Sequence, residues 1–324
     1  MKKLFSKIII ILIFSAGLAS AQQDPQFTQF MFNKLVYNAG YPGVSGGSCG
    51  IIQYKKQWSG FDGAPQSMAV CANSPLPGLP LGVGLTVISD NLGPMKSIFA
   101  RIGSSYKLKI GPGDLGLGID FGIIQKSFTT NWIVPEPLRN DPRIPGSYGS
   151  NGYNNGELNK LSFDIGFGAY YEIPNQLYIG LSSTHLPAQT VKGDNSLQFE
   201  LSRHYYIMAG YSAVITPWLK VKPNILTKTD VASTSFDANL NLLWSDMFWI
   251  GGTYRSSNAV AFLAGIQLPF GPGNSGTLKI GYSYDLTTGS MASNAGQTHE
   301  LILGVCYAPK AKKRSSHGND RFLD

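Results

Sequence analysis

Beyond residue 21 the chain has no run of about 18 apolar residues, so no helix is expected to cross a membrane. It is also poor in charge, with Asp, Glu, Lys and Arg making up 14% of 324 residues. Its three cysteines, Cys49, Cys71 and Cys306, are spaced for no metal site. Its four histidines, His185, His204, His299 and His317, have no flagged nucleophile beside them. A hydrolase needs that constellation, so the reading is non-enzymatic. No glycine-rich stretch has the form of a nucleotide loop, and no cofactor is expected. The basic residues are scattered and gathered by no helix or aromatic motif, which argues against a nucleic-acid partner.

A two-residue rhythm runs almost end to end. Leu115, Leu117, Ile119, Phe121 and Ile123 alternate with Gly116, Gly118, Asp120 and Gly122. Leu161, Phe163, Ile165, Phe167 and Ala169 alternate in the same way with Ser162, Asp164, Gly166 and Gly168. Side chains on a strand point to opposite faces in turn, so each segment has one apolar face and one small or polar face. A secreted β-sandwich would alternate too. Here, however, aromatics gather at strand ends, and the polar face is rich in Gly, Ser and Thr rather than in surface Lys and Glu. The fold expected is an all-β, transmembrane antiparallel β-barrel of about 14 strands, integral to an outer membrane, with lipid outside.

The N-terminus supports export. Lys2, Lys3 and Lys7 precede a short apolar stretch, and Ala19-Ser20-Ala21 forms an A-x-A site, placing cleavage between Ala21 and Gln22. No cysteine follows the site, so lipidation there is not expected. Without those three lysines the formal charge falls from +7 to +4, or 23 basic against 19 acidic residues. The resulting division is signal 1–21, an N-terminal periplasmic or plug segment 22–47, barrel 48–308 and a basic tail 309–324.

Strand centres fall from Gln53 to Leu303. Short connections rich in Pro or Gly alternate with longer ones at 90–96, 128–158, 185–201 and 286–297. Short periplasmic turns opposite longer external loops would put both termini in the periplasm. Tyr106, Tyr171, Trp218, Trp244 and Tyr307 mark one rim, and Tyr205, Tyr254 and Tyr284 the other, as expected of interfacial aromatics. Trp249 points inward in this register. So do Arg101, Lys107, Lys109, Lys279, Asp120, Asp164, Asp237 and Asp285, which would line a wet channel, form an internal ion lattice or receive a plug. The segment 22–47 is too apolar for a free tail and is expected to enter the periplasmic mouth or dock a partner. Cys49 and Cys306 lie near the ends of the first and last strands, which are neighbours in a closed barrel. They are placed either to bridge that seam or to stay free thiols like Cys71. The stretch 128–158, with Trp132, Asp141, Arg143 and Tyr148, is stiffened by prolines and favoured as a protein-binding lid or platform over a mere plug.

The segments Gln23-Asp-Pro-Gln-Phe-Thr-Gln-Phe-Met-Phe-Asn33 and Tyr54-Lys-Lys-Gln-Trp-Ser-Gly-Phe-Asp-Gly-Ala-Pro65 resemble the PorP/SprF family of outer-membrane proteins of the type IX secretion system. Asp141-Pro-Arg-Ile-Pro145, Arg203-His-Tyr-Tyr206 and Gly281-Tyr-Ser-Tyr-Asp285 continue the likeness. The resemblance implies secretion and surface attachment. The cargo would be a secreted protein with a type-B C-terminal sorting domain, such as a gliding adhesin. The partners would be periplasmic secretion and gliding components, including a peptidoglycan-binding protein. Trp58 and Phe61 fall in the first external turn and join the candidate cargo contacts. The alternative is a porin or hydrophobic-solute transporter of the outer membrane.

Overall fold

The computed structural model describes residues 24–60, 63–133, 153–192, 198–230, 232–257, 259–288 and 296–308. The signal site at Ala21 and Gln22, and the tail from 309, lie outside the described residues.

The wall strands, in chain order, are β1 (Ser48–Lys56), β2 (Gln66–Pro75), β3 (Leu81–Leu92), β4 (Met95–Ile110), β5 (Gly113–Ile133), β6 (Tyr153–Ile173) and β7 (Leu177–Thr184). After a short hairpin of β8 (Thr190–Lys192) and β9 (Gln198–Glu200) come β10 (His204–Tyr211) and β11 (Ala213–Thr216). The wall is completed by β12 (Leu219–Thr229), β13 (Thr234–Trp244), β14 (Phe248–Arg255), β15 (Ala259–Phe270), β16 (Gly276–Thr287) and β17 (Thr298–Tyr307). β10 and β11 both pair with β12 and fill one place in the wall, interrupted at Ser212. The last strand returns to the first, with Ser48 opposite Tyr307 and Lys56 opposite His299. The result is a closed, antiparallel 14-strand barrel, and all 14 expected strand centres lie in it.

The wall is inverted relative to a water-soluble protein. In β13 the burial alternates strictly, with Phe236, Leu240, Leu242 and Trp244 outward and Ser235, Asp237, Asn239 and Asn241 inward. Ile102 and Phe163 are 65% and 70% exposed, whereas Lys55 and Glu300 are 2% and 1% exposed. Such a surface is stable only against hydrocarbon, and a closed ladder leaves no edge unpaired there. Trp218 and Trp244 pack at 4.4 Å at one rim, and Phe236 and Tyr254 at 5.9 Å at the other. The turn at Ser245–Asp246 has positive φ at both residues, which matches the twist of a tight hairpin.

Two expected loops differ. The stretch 90–96 is mostly strand, since β3 reaches Leu92, β4 starts at Met95 and Gly93 supplies the left-handed turn at φ 56. Within 128–158, β5 runs on to Ile133 and β6 begins at Tyr153, fully paired. Each of these strands is 21 residues long, about twice what a membrane crossing needs, so the hairpin continues beyond the rim.

The core lies inside the barrel. A ring of 14 strands encloses more space than its own side chains fill, and residues 24–47 occupy it. This segment has tight turns and one 3₁₀ turn, Lys34–Val36. Phe27, Phe30, Met31, Leu35, Val36 and Tyr37 pack on inward wall residues including Ala69, Ile88, Phe99, Ile124, Tyr170 and Met208. The segment reaches beyond the expected periplasmic mouth. Asp24 meets His185 and Tyr206 at the loop-side rim, while Pro42 meets Gly82 and Ser105 toward the turn-side rim. Ser48 and Tyr307 share the turn-side rim, but the chain reaches β1 only after running the length of the lumen.

Candidate functional site: a plugged lumen and its two mouths

The lumen grips the segment chiefly through its backbone. Near the loop side, the Glu300 carboxylate accepts the amides of Thr28 (2.6 Å) and Gln29 (2.9 Å) and the side chain of Gln53 (2.8 Å). Lys55 sits 3.5 Å from Asp285 and 3.9 Å from Glu300, and donates to the Gln26 carbonyl at 2.9 Å. Arg255 forks onto Asp237, with both bonds at 3.0 Å, and sends Nη2 to the Phe27 carbonyl. Arg101 caps the Val36 carbonyl at 3.2 Å. Charge-assisted bonds in a low-dielectric lumen are the strong class, so the inward charges form a lattice closed by the plug.

Farther along, the wall makes room by omitting side chains. A Cβ on Gly118 would lie 2.5 Å from the Ala39 carbonyl carbon and closer still to its oxygen. A Cβ on Gly116 would reach Val44 Cγ2 at 2.5 Å, and one on Gly82 would reach the Gly43 nitrogen at 2.6 Å. The glycines that alternate along β3 and β5 form the channel in which the plug backbone lies. Asn38 anchors this stretch, donating to the carbonyls of Ala169 (3.1 Å) and Leu181 (3.3 Å), and Ser182 donates to Tyr37.

Each mouth holds a cleft. The loop-side cleft, about 380 Å³, is lined by Asp24 to Gln26, Trp58, Asp90, Arg255 and Thr298. The turn-side cleft, about 200 Å³, holds Lys34, Lys222 and Lys279 with Glu172. Lys34 is 2.9 Å from the Tyr170 hydroxyl and 3.7 Å over the Tyr178 ring. Burial pushes its ammonium pKa down, and Lys222 adds to this against the pull of Glu172. Trp249 does point inward, packing on Phe32 at 5.0 Å.

Of the candidate contact residues, Trp58 lies at the loop-side mouth in a left-handed turn (φ 52), its amide on Thr298 Oγ1 at 3.2 Å. Trp132 lies in the projecting end of β5, opposite Asn154. Phe61, Asp141, Arg143 and Tyr148 lie outside the described residues. Cys49 and Cys306 face each other across the β1–β17 seam and are disulfide-bonded, and Cys71 is free and buried.

One cluster escapes sequence reading. Asp24, His185 and His204 converge, one ligand atom of each lying within 4.8 Å of the others. His185 Nε2 is 3.0 Å from Asp24 Oδ1, and its Nδ1 is 3.1 Å from Asp164 Oδ2. Burial disfavours its imidazolium, but the two carboxylates outweigh that and hold its pKa up at about 9. The three residues are 161 and 19 positions apart, so only the barrel closure and the returning plug bring them together. The left-handed backbone at His185 (φ 56) folds its ring inward.

The profile of the family described as "Type IX secretion system membrane protein PorP/SprF" matches residues 19–305. No curated protein matches the chain. Among solved structures, the chain is similar to the CymD monoaromatic hydrocarbon channel, at 10% identity and TM-score 0.48, covering 81% of this chain and 86% of that one. It is similar to a Pseudomonas aeruginosa FadL homologue, at 10% identity and TM-score 0.42 over 81% and 88% of the two chains. Acinetobacter baumannii Omp33 is also similar, at 5% identity and TM-score 0.41 over 82% and 100%.

Proposed function

This chain belongs to the PorP/SprF family of type IX secretion system membrane proteins, and on that premise we propose that it holds or helps export a secreted protein at the cell surface. It is an integral outer-membrane barrel and a membrane component of the type IX system. The observation that carries the proposal is the plugged lumen. A porin or solute channel needs a path between the two mouths, and here Phe27, Phe30 and Met31 fill the space between them. What is left for recognition is the rim.

The cargo docks at the loop-side mouth through a C-terminal sorting domain, and a gliding adhesin is one such cargo. Trp58 and the β5–β6 hairpin are its first contacts. An aromatic ring beside a cleft and a ladder standing clear of the membrane supply area at low entropy cost. The turn side faces the periplasm, where secretion and gliding components, including a peptidoglycan-binding protein, attach. The barrel takes no catalytic part.

The test is affinity capture of the tagged barrel from gently solubilised native membranes, read by mass spectrometry. Recovery of a secreted protein through its C-terminal domain, lost when 134–152 is replaced by a short turn, is the expected result. A partnerless barrel that conducts in a planar bilayer would overturn the reading in favour of solute transport.

A further inference from the structure

We propose that Asp24, His185 and His204 form a binding site for a single divalent transition metal ion, with zinc as the best match, that fastens the start of the plug to the barrel wall. Two imidazoles and one carboxylate are a borderline-soft donor set, suited to zinc and its neighbours and poor for calcium or magnesium.

Three observations carry this beyond proximity. First, His204 is buried, and its Nδ1 is spent on the Ser202 carbonyl at 3.0 Å. That bond fixes the tautomer, so Nε2 carries a free lone pair, and this nitrogen has no hydrogen-bond partner. A buried imidazole nitrogen without a partner is costly unless something binds it.

Second, His185 has the outer partner that metal-binding histidines use. Asp164 Oδ2 stands 3.1 Å from Nδ1, a charge contact without hydrogen-bond alignment that the closing of the site would turn onto Nδ1, while Nε2 faces Asp24. In the metal-free protein a proton on Nε2 bridges His185 to Asp24. A metal ion takes that proton's place, and the proton leaves to solvent.

Third, the local charge calls for a dication. Asp24, Asp90, Asp120, Asp164 and Asp230 are opposed by Arg101, Lys126, Lys228 and the protonated His185, five negative against four positive charges, or −1; release of the His185 proton on binding makes this −2, which a dication neutralises. The 4.8 Å spread of donor atoms is wider than a tetrahedral centre with bonds of about 2.0–2.2 Å allows, so the side chains close by roughly an ångström on binding. Tyr206, donating to Asp24 Oδ2 at 3.0 Å, holds the carboxylate in place for this movement.

The test uses the mature, full-length barrel purified in detergent, stripped with a chelator and titrated with Co²⁺ by visible absorption and with Zn²⁺ by calorimetry. The expected result is one equivalent of each metal, with intense d–d bands of tetrahedral cobalt, and zinc displacing cobalt. His204→Ala should remove the bands, and His299→Ala should leave them unchanged. Absence of stoichiometric uptake by the wild-type barrel, or uptake unaffected by His204→Ala, overturns the proposal. If His204→Ala fails to fold, as judged by its heat-modified gel mobility, Asp24→Asn replaces it, since it alters the plug and leaves the wall intact. Affinity at least about tenfold weaker supports the site, and unchanged affinity refutes it.

Discussion

Replacing Gly118 with valine should expel the middle of the plug while sparing the barrel. The new Cβ would fall 2.5 Å from the Ala39 carbonyl carbon and 2.9 Å from Gly40 Cα, both backbone atoms that cannot rotate away. The segment around 37–40 therefore leaves the wall. It loses the two Asn38 bonds to Ala169 and Leu181 and the Ser182 bond to Tyr37. At about 1 kcal/mol net for each hydrogen bond, the loss is about 3 kcal/mol, or a displaced population roughly 100-fold larger. The β5 ladder is untouched, because its bonds are made by backbone groups on the other axis of the strand. Limited proteolysis of the detergent-solubilised barrel reads the exposure of the segment, and planar-bilayer conductance reads the opened lumen. Gly50→Val is the matched control, since a Cβ there meets nothing within 4 Å. If Gly118→Val is cleaved and conducts no more than Gly50→Val, the view of the glycine rows as a seat for the plug is wrong.

Removing the Glu300 carboxylate with Glu300→Ala leaves the buried Thr28 and Gln29 amides without an acceptor, while Lys55 keeps Asp285 at 3.5 Å; at about 1–3 kcal/mol for each orphaned donor it should cost about 2–6 kcal/mol, seen as a lower unfolding midpoint. Reduction of Cys49–Cys306 should lower that midpoint by the equivalent of about 2–4 kcal/mol or less, because nine paired positions already close the same seam. Lys34 has a folded pKa below its unfolded 10.5, so folding releases its proton and its contribution to stability improves as pH rises from the folded value toward 10.5. The unfolding midpoint of Lys34→Met should therefore exceed that of the wild type most at neutral pH, and the gap should close as the solution becomes alkaline. A constant gap would contradict the sign.

The wall was legible because its physics is local. Alternation over ten residues, a turn chemistry such as Ser245–Asp246 and aromatics at strand ends are all visible in single segments. The inward direction of Trp249 followed from counting by two. The plug was half legible: Phe27 to Phe32 is too apolar to stay in water, but its depth depends on glycines such as Gly82, Gly116 and Gly118, about 40 to 80 residues from the plug residues they face, which on their own read only as space in the lumen. The reach of β5 and β6 was hidden because prolines and asparagines in 128–158 resemble loop chemistry, while Thr129, Thr130, Trp132 and Ile133 continue the strand. The Asp24–His185–His204 cluster was out of reach. His185 and His204, histidines with no flagged nucleophile beside them, acquire a common neighbour only when Asp24 returns to meet them.

The position of the plug also orders events in time. The segment is synthesised first, yet two of its clamps, Asp285 and Glu300, belong to the last two strands. The seam that encloses it is made by β17, the final strand, meeting β1. The beginning of the chain must therefore be in place before its end arrives, and neither is secure without the other. Loss of the last strand leaves the plug unlocked, and loss of the plug takes from Glu300 the Thr28 and Gln29 amides that it accepts. Closure of the wall and sealing of the lumen become one event.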